Sequence, residues 1–319
     1  MHDILLSFIL GIVEGLTEFL PVSSTAHLRI CEALFDIKME SGYWKMYSIV
    51  IQLGAILCLP IYFRQRIMKF ISTFPRGENN DRTVFNHPVT LVGIAFVVTA
   101  IPSWKLHGLV HKHLESLWIM GAALLVGGIV MWVVDNFFGW VPSGSEETSQ
   151  AKAVVSTLSR EETPSAPPIG LRPTTSMEQM SLGQAIWIGA VQILSAVFPG
   201  TSRSMCTIAA GQVTGMSRPS ALEFSFFLSM PTMLAATGYE FIKMVILKKG
   251  DPGEALQPIV MTGQLWIVLA IGFIVSFFVA WAVVAWFMSW VRRRGFSPFA
   301  AYRIFVGAGV LILAYKAHG

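Results

Sequence analysis

The sequence predicts an all-α integral membrane protein: six membrane helices plus two helical segments broken in mid-course, arranged as an inverted-topology repeat. Three observations predict it. Of 319 residues, 54% are hydrophobic and 13% charged, with mean hydropathy +0.60; a soluble domain carries roughly 25% charged residues. Six stretches are long and apolar enough to cross a bilayer. Two proline-interrupted apolar stretches match each other at a fixed offset. The same composition excludes disorder, which needs low hydrophobicity and high net charge. Cys31, Cys58 and Cys206, all in apolar surroundings, exclude a disulfide scaffold. The net charge of +4 is spread over many loops, which reads as membrane topology and not nucleic-acid binding.

The chain opens on the apolar run Ile4–Val13. Asp3 stands where a cleaved leader would be basic, and no small-residue cleavage site follows, so this run is expected to stay in the mature protein. It leads into Glu14, Glu18, Pro21 and His27. Uncharged runs follow at Met46–Phe63, Pro88–Trp104 and Ser116–Val134, close to the roughly 17–25 residues a membrane helix needs. A second broken stretch, Gln179–Ser202, is interrupted by Pro199 and Gly200 and followed by Arg203. Three more spans follow: Phe224–Tyr239, Leu265–Val291 (which spans if tilted) and Ser297–Tyr315, with one internal charge, Arg303. Proline ends or kinks a helix, and broken helices persist at membrane depth only where protein buries them or a wet cavity adjoins. Residues 139–181 are different: 21 of these 43 are Ser, Thr, Pro or Gly. They read as a flexible polar linker with a short helix expected at 146–158. With both termini outside, the inner loops hold twelve Lys and Arg and the outer loops nine, the best single support being Arg292–Arg294.

The two broken stretches align without a gap. Gly11, Leu16, Pro21 and Ser24 match Gly189, Leu194, Pro199 and Ser202, an offset of 178 throughout. Three spans follow each stretch, an odd number, so the second half enters the membrane the opposite way up. Such repeats place their site near the midplane, where broken helices meet. The expected organisation is a first repeat over 1–138, the linker over 139–181 and a second repeat over 182–319.

Ionisable residues within a membrane are functional candidates by default, and here they cluster at the breaks. Glu14 and Glu18 share one helix face. Two such carboxylates repel unless a cation or proton lies between them, and a divalent cation such as Mg²⁺ or Ca²⁺ is the natural partner. Ser23, Ser24 and Thr25 follow the first break; a serine here is an N-cap in the plain reading. His27, within a turn of Ser24, can serve as acid or base. The second break supplies Gly200, Thr201, Ser202, Arg203, Ser204 and Thr207. A helix N-terminus binds phosphate through its free N–H groups and its dipole, and arginine adds a planar fork. Two such termini converging, with carboxylates on one wall and arginine on the other, suit a diphosphate.

At these residues the chain resembles the bacterial undecaprenyl-diphosphate phosphatases of the bacitracin-resistance type. Glu14-Gly-Leu-Thr-Glu18-Phe-Leu-Pro-Val-Ser-Ser-Thr-Ala-His27 looks like that family's first signature. Pro199-Gly-Thr-Ser-Arg-Ser-Met-Cys-Thr207 looks like its second. Ile51-Gln-Leu-Gly54 and Tyr302-Arg-Ile304 match as well, and the resemblance covers the chain outside the linker. It implies two re-entrant helical hairpins and six spans in the bacterial inner membrane. It also implies a site open to the periplasmic side, and a divalent-cation-dependent hydrolysis of C55 polyprenyl diphosphate to the monophosphate and inorganic phosphate. That reaction recycles the carrier lipid of cell-wall synthesis and accompanies bacitracin resistance. By this match Glu14 and Glu18 take the metal-binding or base role. Ser24 is nucleophile or phosphate ligand and His27 its acid–base partner; Ser202, Arg203, Ser204 and Thr207 cradle the diphosphate. Two positions depart from the pattern: Ala26 and Met205 stand where the family usually has glycine, and the bulk of Met205 bears on the phosphate pocket. The partners expected are the lipid substrate and the bilayer, no nucleic acid, and a homodimer is compatible with the sequence. The alternative is a lipid transporter or flippase on the same repeat; the density of Glu, Ser, His and Arg at one place argues against it. A phospholipid-phosphatase-type enzyme needs a histidine after the arginine, and Thr207–Gly211 contains none.

Overall fold

A computed structural model describes residues 2–35, 37, 42–110, 116–142, 166–168, 170–242 and 261–318. Eleven α-helices form among them: α1 (His2–Thr17), α2 (Ser24–Phe35), α3 (Gly42–Tyr62), α4 (Arg64–Ser72), α5 (Pro88–Val110), α6 (Leu117–Phe138), α7 (Leu182–Val197), α8 (Arg203–Val213), α9 (Arg218–Phe241), α10 (Gly263–Arg294) and α11 (Ser297–His318). The described residues contain no strand beyond one isolated bridge between Thr174 and Met216. The helix expected at 146–158 lies outside the described residues.

Among the described residues, five helices are long and apolar enough to cross a membrane: α3, α5, α6, α10 and α11. The sixth expected span falls within α9, which is long enough but carries Glu223, Ser225, Ser229, Thr232 and Thr237 along its length. Hydroxyls are tolerated inside a bundle because they find carbonyl partners there. Ser229 donates to the Phe226 carbonyl at 2.7 Å and Thr232 to the Leu228 carbonyl at 2.7 Å. At 32 residues, α10 is about 48 Å long, more than the roughly 30 Å hydrocarbon core. It ends on Arg292–Arg294, cations that suit a helix C-terminus.

Glycine governs how the broken helices dock. α1 packs on α10 and α7 on α5. A Cβ on Gly11 would lie 2.9 Å from the Gly272 carbonyl oxygen, and one on Gly189 would lie 2.5 Å from that of Ala95. These two glycines are the pair matched in the sequence. α6 pairs with α11. α8 sits innermost, with every residue from Ser204 to Gln212 buried, and so are Pro199 and Gly200 of the break that precedes it.

Two polar nodes fix the ends. Asp135 is 1% exposed. It accepts from Gln212 Nε2 at 3.1 Å, Arg218 Nε at 2.7 Å, and the Phe296 and Ser297 N–H groups at 2.8 and 3.1 Å, which ties α6, α8, α9 and the start of α11 together. Arg66 of α4 reaches Glu178 at 2.7 Å and Glu223 at 2.9 Å. Burial raises the Glu178 carboxyl, but its own backbone N–H and the Arg66 guanidinium outweigh that and hold it below its ordinary range.

Candidate active site

The two breaks use one backbone device. After α1 the chain turns through residues 18–23, and after α7 through residues 198–202. Ser23 and Ser202 then cap α2 and α8 with φ of 74° and 70°, where an ordinary N-cap is extended. Non-glycine residues rarely adopt this region, and such strain collects at functional sites. Each serine Oγ accepts the N–H three residues on, from Ala26 and from Met205, at 3.4 Å. Gly200, at φ 90°, lets the second break lie against α6; a Cβ there would sit 2.7 Å from the Met120 carbonyl oxygen.

The breaks touch. Ser204 Oγ donates to the Leu20 carbonyl at 2.9 Å, so its own oxygen accepts from Ser202 Oγ at 3.1 Å. Arg203 Nη2 donates to Glu18 Oε1 at 3.3 Å across the gap. The other Glu18 oxygen, Oε2, accepts from Ser24 Oγ at 2.6 Å. Glu14 faces Glu18 one turn back, is 0% exposed, and neither of its carboxylate oxygens has a hydrogen-bond partner; nor has Arg203 Nη1. A buried carboxylate without a partner is costly, and a cation beside it would offset that cost. No group of three or more His, Cys, Asp or Glu gathers among the described residues. A divalent cation held by Glu14 and Glu18 would take its other oxygens from phosphate and water, as Mg²⁺ does. The residues fit that ion.

His27 does not bond to Ser24. The Ser23 carbonyl only accepts, so Nδ1–H donates to it, at 2.8 Å; in the neutral ring Nε2 then accepts from the Tyr302 hydroxyl at 2.7 Å, and the two rings stack. Thr207 departs from the expected cradle. It is 1% exposed, donates back to carbonyls of its own helix at 3.0 and 3.2 Å and pairs with Ser225 Oγ at 2.6 Å. A threonine in mid-helix readily bonds backward in this way, so it braces α8 against α9. Thr201 Oγ1 likewise closes its own turn on the Phe198 carbonyl at 2.8 Å, and Thr25 is exposed at the start of α2. Met205 is 4% exposed, in the core beside Gly127, and Ala26 is 0% exposed against Met120 and Leu124; packing absorbs both departures.

Sequence reasoning noted two further residues, Tyr302 and Arg303, but gave them no place in the site. Tyr302 meets His27 from 275 positions away. Arg303 is 0% exposed and donates to the Pro21, Ala123, Gly200 and Thr201 carbonyls at 3.0–3.2 Å. The signal for Arg303 was its charge within an otherwise uncharged span.

Comparison with known proteins adds the following. A family model described as bacitracin resistance protein BacA matches residues 7–309. An undecaprenyl-diphosphatase of Koribacter versatilis is 57% identical over 316 residues, 99% of this chain and 100% of the relative. One from Caldanaerobacter subterraneus is 37% identical over 313 residues (98% and 97%). Undecaprenyl-diphosphatase 1 of Frankia alni is 34% identical over 311 residues (96% and 95%).

Proposed function

The chain belongs to the bacitracin resistance protein BacA family, and from that premise we propose that it is a membrane phosphatase hydrolysing undecaprenyl diphosphate to the monophosphate and inorganic phosphate. The observation that carries the reading is the arrangement at Glu18: one oxygen accepts a hydrogen bond from the Ser24 hydroxyl, the other from Arg203, and both partners stand at helix N-termini. A transporter has no need of a hydroxyl held on a carboxylate.

In the reaction Ser24 Oγ gives its proton to Glu18 and bonds to the terminal phosphorus. The bond from that phosphorus to the bridging oxygen breaks, and the electron pair leaves with the prenyl monophosphate. Water then cleaves the phosphoserine, releasing inorganic phosphate and restoring Ser24; the His27–Tyr302 pair is assigned the proton transfer of this second step. Arg203 and the α2 and α8 N-termini offset charge on the phosphoryl oxygens. Glu14 and Glu18 would hold the divalent cation, Mg²⁺ or Ca²⁺, which supplies further positive charge at the phosphates when bound.

The same reading assigns α1–α2 and α7–α8 as re-entrant hairpins, α9 as the sixth span, and 1–138 and 182–319 as repeats joined by the 139–181 linker. Its support is the matched docking of Gly11 on α10 and Gly189 on α5. Arg292–Arg294 on the inner side, with both termini outside, directs the site to the periplasmic face of the inner membrane. The test is phosphate release from undecaprenyl diphosphate by the purified protein in detergent, with and without chelator. Turnover abolished by chelator and restored by Mg²⁺ or Ca²⁺ is expected. No release under any cation would overturn the reading.

A further inference from the structure

Arg303 is the one buried arginine at the site whose guanidinium touches only main-chain oxygens among the described residues. Arg203 and Arg218 each face a carboxylate, Glu18 and Asp135. Arg303 instead donates through Nη1 to the Pro21 carbonyl at 3.1 Å. Nη2 is shared by the carbonyls of Ala123, Gly200 and Thr201 at 3.2, 3.1 and 3.0 Å. Those acceptors come from the first break, from α6 and from the second break. Room for the fork is left by Gly127, where a Cβ would collide with Nη2.

A trans peptide is planar, with its C=O and its following N–H on opposite sides. Pulling the Pro21, Gly200 and Thr201 carbonyls toward one guanidinium therefore turns the N–H groups of Val22, Thr201 and Ser202 away from it. Val22 and Thr201 use theirs to close the turns, on Leu20 at 2.8 Å and on Phe198 at 3.2 Å. The Ser202 N–H joins those of Arg203 and Ser204, the first groups of α8, which have no acceptor within their own helix.

Resting on the phosphatase reading above, we propose that Arg303 is a positioning residue for the phosphate site: it staples the two breaks together and orients their peptide planes so that both helix N-termini face one anion. The guanidinium, which has no carboxylate among its hydrogen-bond partners, also lends its positive field to that anion. Fork and charge are separable. Lysine keeps the charge but is a compact point donor that cannot span acceptors on three elements.

The experiment compares the purified protein with Arg303→Lys and Arg303→Met by amide hydrogen exchange at Val22, Thr201 and Ser202, and by kcat and KM for undecaprenyl diphosphate. In Arg303→Lys, exchange at both breaks should rise by about tenfold or more, with kcat down by about tenfold or more and KM within about threefold, as expected for lost alignment with the charge retained. Arg303→Met should speed exchange further and also raise KM. Gly127→Ala, which presses on the fork while leaving Arg303 in place, should shift exchange at both breaks in the same direction and covers the case in which Arg303→Met does not fold. Exchange and kcat unchanged in Arg303→Lys, or a change confined to one break, would overturn the proposal. If the unsubstituted protein released no phosphate, the phosphatase reading would fail, while the exchange measurement would still decide whether Arg303 orders both breaks.

Discussion

The two helix breaks share a backbone and differ in chemistry. Both have a proline, a close-packing glycine about ten residues earlier, and a capping serine in the left-handed region. Yet position 14 is a glutamate whose two oxygens have no partner, whereas its matched position, Gln192, leaves only Oε1 without one and donates its amide to Thr99 at 3.1 Å and to Thr232 at 3.4 Å. The first break carries the acids and Ser24; the second carries Arg203 where the first has Thr25. The shared backbone supplies two helix N-termini on one site. The differing side chains then place negative charge on one wall and positive charge on the other, which two identical breaks would lack.

Removing one charge from each wall should cost the most. Glu18→Gln keeps the shape but removes the acceptor for the Ser24 proton and the partner of Arg203. Turnover should fall by roughly 10³-fold, within the range for loss of a general base. Arg203→Ala should lower it by roughly 10²–10³-fold, the scale for one stabilising donor at a developing charge. Steady-state phosphate release reads both. Near-normal rates in both variants would mean that the two walls are not the reacting surfaces.

Restoring symmetry is the next largest change. Gln192→Glu puts a carboxylate where two threonine hydroxyls and no cation wait. Gln192 is 1% exposed, so an unpaired charge there should destabilise by about 3 kcal/mol or more. A lower thermal midpoint in detergent would report it. Added Mg²⁺ should not recover that midpoint. If it did, the second half would hold a cation as the first is proposed to, and the contrast between the halves would collapse.

The comparison also shows what the sequence could carry. Apolar runs, prolines and the 178-residue offset are local or periodic, and they located five of the six expected spans and both breaks. The caps, however, stand 179 apart, Ser23 and Ser202, because the second break takes three residues from its proline to its cap and the first takes two. An ungapped alignment has no means of showing that. Ser24, matched to the capping Ser202, is thereby released from the cap and free to bond Glu18. Tyr302 and Arg303 reach the site only through the pairing of α6 with α11, a tertiary fact whose local traces are the short Tyr302-Arg-Ile304 match and a charge in an apolar run. Thr207 misled in the opposite sense: a hydroxyl one turn beyond Arg203 suggests a phosphate ligand, but helix geometry offers it nearer carbonyls.

Thr207 therefore supplies the smallest and most selective test of where the second wall ends. Thr207→Val keeps the shape and removes the hydroxyl that Ser225 shares at 2.6 Å. A buried hydroxyl deprived of its partner costs about 1–2 kcal/mol, so the thermal midpoint should drop slightly. Turnover should stay within about twofold, because the alignment of Ser202 and Arg203 is held from the other side, by Ser204 on Leu20 and by Arg303 on the two breaks. A fall of about tenfold in kcat with the midpoint unchanged would have the opposite meaning: the hydroxyl turns outward when diphosphate arrives, and the anion contacts a full turn of α8 beyond its cap.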